Sequence, residues 1–179
     1  MTSVDDHYRV LHVITRLDRG GSADNTLLTV FGLDWNRYRL SLAAGEGGGL
    51  ACEIVDEFQR RGLELMVIPH LVRNINPWKD LRALWRLYRI MARGGYHLVH
   101  THSSKAGMLG RWAARFARVP VIVHTPHGHV FYGYYGRILT KLFILMEKFT
   151  ASFTDAIITL TPRGKDEHVK LGIAAQERF

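Results

Sequence analysis

The sequence predicts an α/β fold: a doubly wound, Rossmann-like domain whose mainly parallel sheet has about six strands, with helices on both faces. Two observations predict it. Six β-rich runs are continuously apolar rather than alternating, as in strands buried on both faces. Each is followed by a segment of helical periodicity, and right-handed crossovers then wind the helices over both faces. The size agrees, since 179 residues with 47% apolar and 22% charged side chains suit one domain around one core, here 1–179.

The elements follow in order. "VLHVIT" (10–15) leads into "DRGGSADNTLLTVF", and "RLSLAA" (39–44) leads through the glycine link "GEGGG" into "LACEIVDEFQRRG". "LELMVIP" (63–69) precedes the helical "NPWKDLRALWRLYRIMARGG", in which Asn76 caps, Pro77 takes the first position and the glycines at 94–95 terminate. Gly62 and Gly172 stand just past helical stretches, where a left-handed residue is expected. "HLVHT" (97–101) precedes "SSKAGMLGRWAARFARV", "VPVIVHT" (119–125) precedes "YYGRILTKLFILMEKFTASF", and "DAIITLT" (155–161) precedes "PRGKDEHVKLG".

Composition narrows the function. The N-terminus "MTSVDDHYRV" does not read as a secretory signal, and no run reaches the roughly 18 apolar residues of a membrane span. The lone Cys52 suits a reducing compartment, so a cytoplasmic protein is expected. The net charge of +8 is uneven: Arg73 to Arg118 holds ten Lys/Arg and one acid, Asp80. Such a concentration points to an anionic partner. Nucleic acid is disfavoured because no recognition module is legible.

In an open parallel sheet, ligands gather beyond the carboxyl ends of the strands. Three such ends are rich in Gly, Ser, Thr and His. In "TRLDRGGSADN", Gly20 and Gly21 permit close approach of a ligand, and Ser22 opens a helix whose free amides favour an anion. Neither a dinucleotide fingerprint nor a P-loop is present, so a plain strand-to-helix turn is the alternative. In "THSSKAGMLGR", Ser103, Ser104, Lys105 and Arg111 suit phosphate, or the serines simply cap the helix and Gly107 and Gly110 allow close packing on the sheet. "TPHGHVFYG" adds His127 and His129 in a loop after the fifth strand.

Six of the ten histidines lie in "HLVHTH" (97–102) and "HTPHGH" (124–129). His100 and His102 share a strand face and His97 points the other way. A metallohydrolase on His100, His102, His127 and His129 is one reading, but convergent acids are missing nearby and the expected metal is none. On the helix of residues 78–93, Lys79, Arg82, Arg86, Arg89 and Arg93 form a basic stripe. Leu81, Leu84, Trp85, Tyr88, Met91 and Ala92 form the apolar face. That stripe is either a solvated side or a docking surface for anionic lipid, with Trp78, Phe131, Tyr132, Tyr134 and Tyr135 at the interface.

Taken together, "VLHVITRLDRGGSADNTL", "HLVHTHSSKAGMLGRWAARFARVPVIVHTPHGHVF" and "EKFTASFTDAIITLTPRGKDEHVKLGI" resemble the N-terminal domain of family-4 (group 1) GT-B glycosyltransferases, over nearly the whole chain. The resemblance implies a retaining sugar transfer from a nucleotide-sugar donor to a glycan or lipid-linked acceptor, in bacterial cell-envelope or exopolysaccharide synthesis. It implies donor-phosphate contacts at Gly20, Gly21 and Ser22, and places His127 beside the transferred sugar as the catalytic residue. Acceptor contacts would come from His102, Ser103, Ser104, Lys105 and His129. No cofactor is implied beyond the donor. "GSADN" departs from the family's usual helix entry "GGAE". The family's donor-binding second domain carries two glutamates with seven residues between them, whereas Glu46/Glu53 and Glu57/Glu64 are separated by six. The expectation is therefore an acceptor-side domain, inactive alone, whose C-terminal donor-binding domain or subunit is absent from this chain. Peripheral attachment to the inner membrane face, or a non-catalytic docking or scaffold module, is the reading from the basic stripe.

Overall fold

A computed structural model describes residues 7–18, 20–46, 52–128 and 136–179. Six strands, β1 (Tyr8–Ile14), β2 (Tyr38–Gly45), β3 (Glu64–Ile68), β4 (Leu98–His102), β5 (Val121–Thr125) and β6 (Ala156–Ile157), form one sheet in the order β3-β2-β1-β4-β5-β6. Every neighbouring pair is parallel. The helices are α1 (Gly21–Gly32), α2 (Cys52–Arg60), α3 (Pro77–Gly94), α4 (Ser104–Phe116), α5 (Arg137–Ala151) and α6 (Pro162–Lys170), with a 3-10 turn at Gln176–Arg178. The chain builds outward from β1 to β3, then returns to lay β4 beside β1, so strand order reverses between these two.

The continuous apolar runs arise because both faces are covered. On one face Val10, Ile14, Leu40 and Leu42 pack with Ala23 and Val30 of α1 and Phe58 of α2. On the other, Leu11, Val13, Val99 and Ile122 pack with Ala83 and Leu87 of α3 and Ala106 and Ala113 of α4. Gly107 and Gly110 bring α4 onto the sheet: a β-carbon would lie 2.4 Å from the His124 ring at the first and 2.7 Å from Thr101 Cγ2 at the second.

Caps follow the sequence at α3, where Asn76 Oδ1 accepts from Lys79 N at 3.1 Å, Pro77 is the first helical residue and Gly95 closes the helix at φ 60°. Gly62 and Gly172 are left-handed, as expected. Three strands are shorter than their apolar runs: β3 lacks one residue at each end, and β5 and β6 are cut back further. Val119 N is taken by Ala114 O at the end of α4, and Pro120 has no N–H, so β5 begins at Val121. Among the described residues β6 pairs only with β5, which ends at Thr125, so bonding to it stops at Ile158 N, which reaches His124 O.

The buried face of α3 differs from the expected one. Met91 is buried, and Leu84 and Tyr88 pack against the core as expected, but Ala83 and Leu87 are buried with them, whereas Leu81 and Trp85 are 58% and 59% exposed and Ala92 is exposed. The small Ala83 lets the helix lie close to its neighbours, and this turns the bulkier residues outward. Arg111, read from sequence as a phosphate-binding candidate, is wholly buried. It ties α4 to α5 through Glu147 Oε2 at 2.8 Å and bonds Gly107 O at 2.9 Å.

Candidate active site at the strand-order switch

Strand order reverses between β1 and β4, and in open parallel sheets ligands usually bind beyond the carboxyl ends of the strands at such a reversal. Thr15, directly after β1, joins the two loops: its Oγ1 lies 2.9 Å from Ser103 Oγ and accepts from Ala106 N at 3.0 Å. The cap of α4 is thus supplied from another strand. Ser103 occupies the N-cap position at φ 63°, but its own side chain makes no capping bond. A non-glycine residue in this left-handed region is strained and needs support from its surroundings. Here Ser103 N is bonded to Thr125 O, which fixes the β4 loop to β5.

The β5 loop is held by histidines. His102 Nδ1 lies 3.0 Å from His127 Nε2, and His102 Nε2 lies 3.0 Å from His12 Nδ1 on β1. His100, on the same face, bonds Thr125 Oγ1 through Nε2 at 2.8 Å, and its ring lies 4.1 Å from that of His102. His127 is half-buried and also left-handed, at φ 56°. Among the described residues, His12, His100 and His102 bring one nitrogen each within 4.8 Å of one another. Of the sequence-based set it keeps His100 and His102, adds His12 and omits His127, while His129 lies outside the described residues. His97 lies before β4 and accepts from Arg9 N at 3.0 Å. His124 is on the opposite face, its Nδ1 3.0 Å from Thr101 Oγ1.

All these buried rings resist protonation. Burial, then the field of His100, holds His12 well below the ordinary histidine range. Burial and His127 lower His100 to about 4. Burial is the main cause at His102, followed by His100 and His12. Burial and the Arg111 guanidinium depress His124, and burial alone lowers His127. The cluster is a set of neutral imidazoles, each with one donor and one acceptor nitrogen.

The predicted site residues divide into groups. Gly20, Gly21 and Ser22 lie at the start of α1, where the first helical bond runs from Asp24 N to Gly20 O, leaving the preceding amides without intrahelical partners. Ser104 is exposed at the first turn of α4. The outcome differs for two others. Lys105, expected to meet the acceptor, has its ammonium 2.6 Å from Asp80 Oδ1 and 2.8 Å from Asn74 O, and so links α4 to the start of α3. His102, expected likewise, is fully buried and reaches the rim only through His127. His129 and the aromatic residues 131–135 lie outside the described residues. Sequence reasoning missed His12 and Thr15, each an isolated polar residue in or beside an apolar run.

A second surface lies on the α3–α4 side. Lys79, Arg82, Arg86, Arg89 and Arg93 are all exposed, and with them Trp78 at 76%, Leu81 and Trp85. Leu81, Leu84, Trp85, Tyr88 and Phe116 line a groove. From Phe116 the apolar band continues through Trp112 to Phe149 of α5, at ring separations of 5.4 and 5.5 Å, and on to exposed Leu142 and Leu145. No described helix is long and apolar enough to cross a membrane.

A parallel sheet of this order, with helices on both faces and polar loops at its reversal, defines a domain of the doubly wound, Rossmann-like class. The chain belongs to the glycosyl transferase 4-like domain family, whose model matches residues 7–178. Over 134 residues it is 35% identical to the UDP-Gal:alpha-D-GlcNAc-diphosphoundecaprenol alpha-1,3-galactosyltransferase of Escherichia coli, matching 75% of this chain and 33% of that protein. Its fold is shared with Acinetobacter baumannii MurG, with a TM-score of 0.60 at 15% identity over 87% of this chain and 42% of that one. The UDP-GlcNAc 2-epimerase of Neisseria meningitidis, bound to UDP-GlcNAc, has a TM-score of 0.66 at 12% identity over 95% of this chain and 45% of that one. The chain therefore spans about a third of the curated relative and less than half of these solved structures.

Proposed function

We propose that this chain is the acceptor-side lobe of a retaining glycosyltransferase that moves a sugar from a nucleotide-sugar donor to a lipid-linked acceptor of the bacterial envelope. The observation that carries the reading is the pair of side-chain links, Thr15–Ser103 and His102–His127, which gather three loops at the strand-order reversal of a domain in this family. In this reading the amides of Gly21 and Ser22 and the macrodipole of α1 stabilise the departing diphosphate, with no metal or cofactor called on. Gly20 admits the phosphates closely, His127 contacts the transferred sugar, and Ser103 and Ser104 face the acceptor, with His129 a further acceptor contact carried over from the family pattern. A second, donor-binding domain or subunit completes the cleft. The test supplies labelled UDP-sugar and a diphosphoundecaprenol-linked sugar to the chain with and without such a domain. Transfer is expected only with the pair, and His127→Ala should reduce it about a hundredfold. Robust transfer by the chain alone would remove the second domain from the proposal, and an active pair indifferent to His127→Ala would remove the site.

We further propose that the lobe rests on the inner membrane face through the basic and apolar band of α3 to α5. The observation favouring this is that Trp78, Leu81 and Trp85 are exposed among five cations rather than packed on the sheet. Each basic residue near an anionic surface contributes about 1 kcal/mol. Replacing Arg82, Arg86 and Arg89 with glutamine should therefore weaken partition onto vesicles containing phosphatidylglycerol roughly a hundredfold. Binding to purely zwitterionic vesicles should hardly change. Equal, weak partition onto both vesicle types would discard the electrostatic dock.

A further inference from the structure

We infer that His102, backed by His12, is a positioning residue that holds His127 as a fixed, neutral hydrogen-bond donor, with its Nδ1–H presented to an oxygen of the bound sugar nucleotide. The inference rests on the reading of His127 above and adds to it the state in which that ring acts.

Three imidazoles are joined in series by two contacts of 3.0 Å, His12 Nδ1 to His102 Nε2 and His102 Nδ1 to His127 Nε2. A neutral imidazole has one N–H and one lone pair, so the middle ring donates to one neighbour and accepts from the other. The protons of all three rings must then run in one direction. Either His12 donates inward and His127 Nδ1 carries the last hydrogen, or the order reverses and His12 Nε2 carries it. The two terminal atoms, His12 Nε2 and His127 Nδ1, are both buried and have no hydrogen-bond partner among the described residues. An orphaned buried N–H is rarer in proteins than an under-filled acceptor, so the hydrogen belongs at the end where an acceptor can arrive. His12 is 1% exposed within the sheet face. His127 is half-buried at the rim, on the loop after β5. The forward direction is therefore favoured: the bare lone pair stays in the core, and the donor is at the end nearer the rim, covered until a ligand oxygen reaches it.

The neighbours of the chain of rings support neutrality. His100 lies against both His12 and His102, with ring centroids 5.1 and 4.1 Å away. No carboxylate is paired with any of these rings among the described residues, and burial lowers the basicity of each. His127 so held is unsuited to act as a general base, because its outward nitrogen already carries a proton and its inner lone pair is taken. It binds an oxygen in a single orientation, which is a stricter demand on the ligand than a freely rotating imidazole would make.

The experiment is nitrogen-15 NMR of the 179-residue chain labelled at histidine, which assigns each ring's tautomer at neutral pH. Wild-type His127 is expected to be the Nδ1–H form and His102 likewise. His102→Asn, whose amide nitrogen replaces the donating Nδ1, should preserve that form at His127, whereas His102→Phe should lose it. Mixed or protonated His127 in the wild-type chain would overturn the inference, with no variant required to fold. Stoichiometric capture of added zinc by His12 and His102, abolishing the ring-to-ring bonds, would also overturn it. A wild-type Nδ1–H tautomer combined with transfer indifferent to His127→Ala would leave the relay standing and refute only the functional reading.

Discussion

Lowering the pH from 7 to 5 is expected to remove most of this protein's stability. His12, His100, His102 and His124 are between 0% and 6% exposed, and the fold holds each below the ordinary histidine value. Above about 6.5 neither folded nor unfolded chain protonates these rings, and stability is insensitive to them. Below that, the unfolded chain takes up protons that the folded one refuses until His100 is reached at about 4. The stabilisation is therefore present at neutral pH and is lost as the pH falls. Each ring costs about 1.4 kcal/mol per pH unit once well below its unfolded value. Across two units this is about 2 kcal/mol per ring, or roughly 8 kcal/mol for four, against a typical total of about 5–15 kcal/mol. Urea unfolding followed by circular dichroism at pH 7.5, 6 and 5 measures it. A midpoint unchanged over that range would mean that these rings charge freely in the folded state.

The second large effect is expected from Gly45→Ala. Gly45 ends β2 where the chain segments after β1 and β3 converge. A β-carbon there would stand 1.9 Å from Leu71 O and 2.4 Å from Thr15 O. Both neighbours are backbone, so no side-chain rotation relieves the overlap. Overpacking of this kind typically costs 1–3 kcal/mol, and immovable carbonyls put this case at about 3 kcal/mol or more. The displaced segment includes Thr15, whose hydroxyl caps α4 and meets Ser103. The variant should therefore lose both its urea midpoint and the geometry of the rim. Gly110→Ala provides a comparison, because its main obstacle is the Thr101 methyl at 2.7 Å, and it should cost less. Equal midpoints for Gly45→Ala and the wild-type protein would show that this crossing is loose.

The order of elements was legible because it rests on local rules. Continuous apolar runs mark buried parallel strands, Asn76–Pro77 starts a helix, and Gly62, Gly95 and Gly172 end helices in the left-handed region. The β4 and β5 loops were legible as polar strand ends with unusual histidine content. The α3 packing face was legible only in part, at Leu84, Tyr88 and Met91, because periodicity marks several apolar positions without deciding which of them neighbours will cover. Arg111 and Lys105 were read as free cations for the same reason: their partners, Glu147 and Asp80, are distant in sequence.

By itself the sequence determined the α/β class, the succession of six strand–helix units and the three loops that bear polar chemistry, since each depends on residues within one turn or strand of each other. Only the tertiary structure decided that His12 stands behind His102, that Thr15 caps α4, and that Trp78, Leu81 and Trp85 remain outside. Placing β1 beside β4 brings residues about 90 positions apart into contact, and nothing in a local pattern encodes which strands will be neighbours.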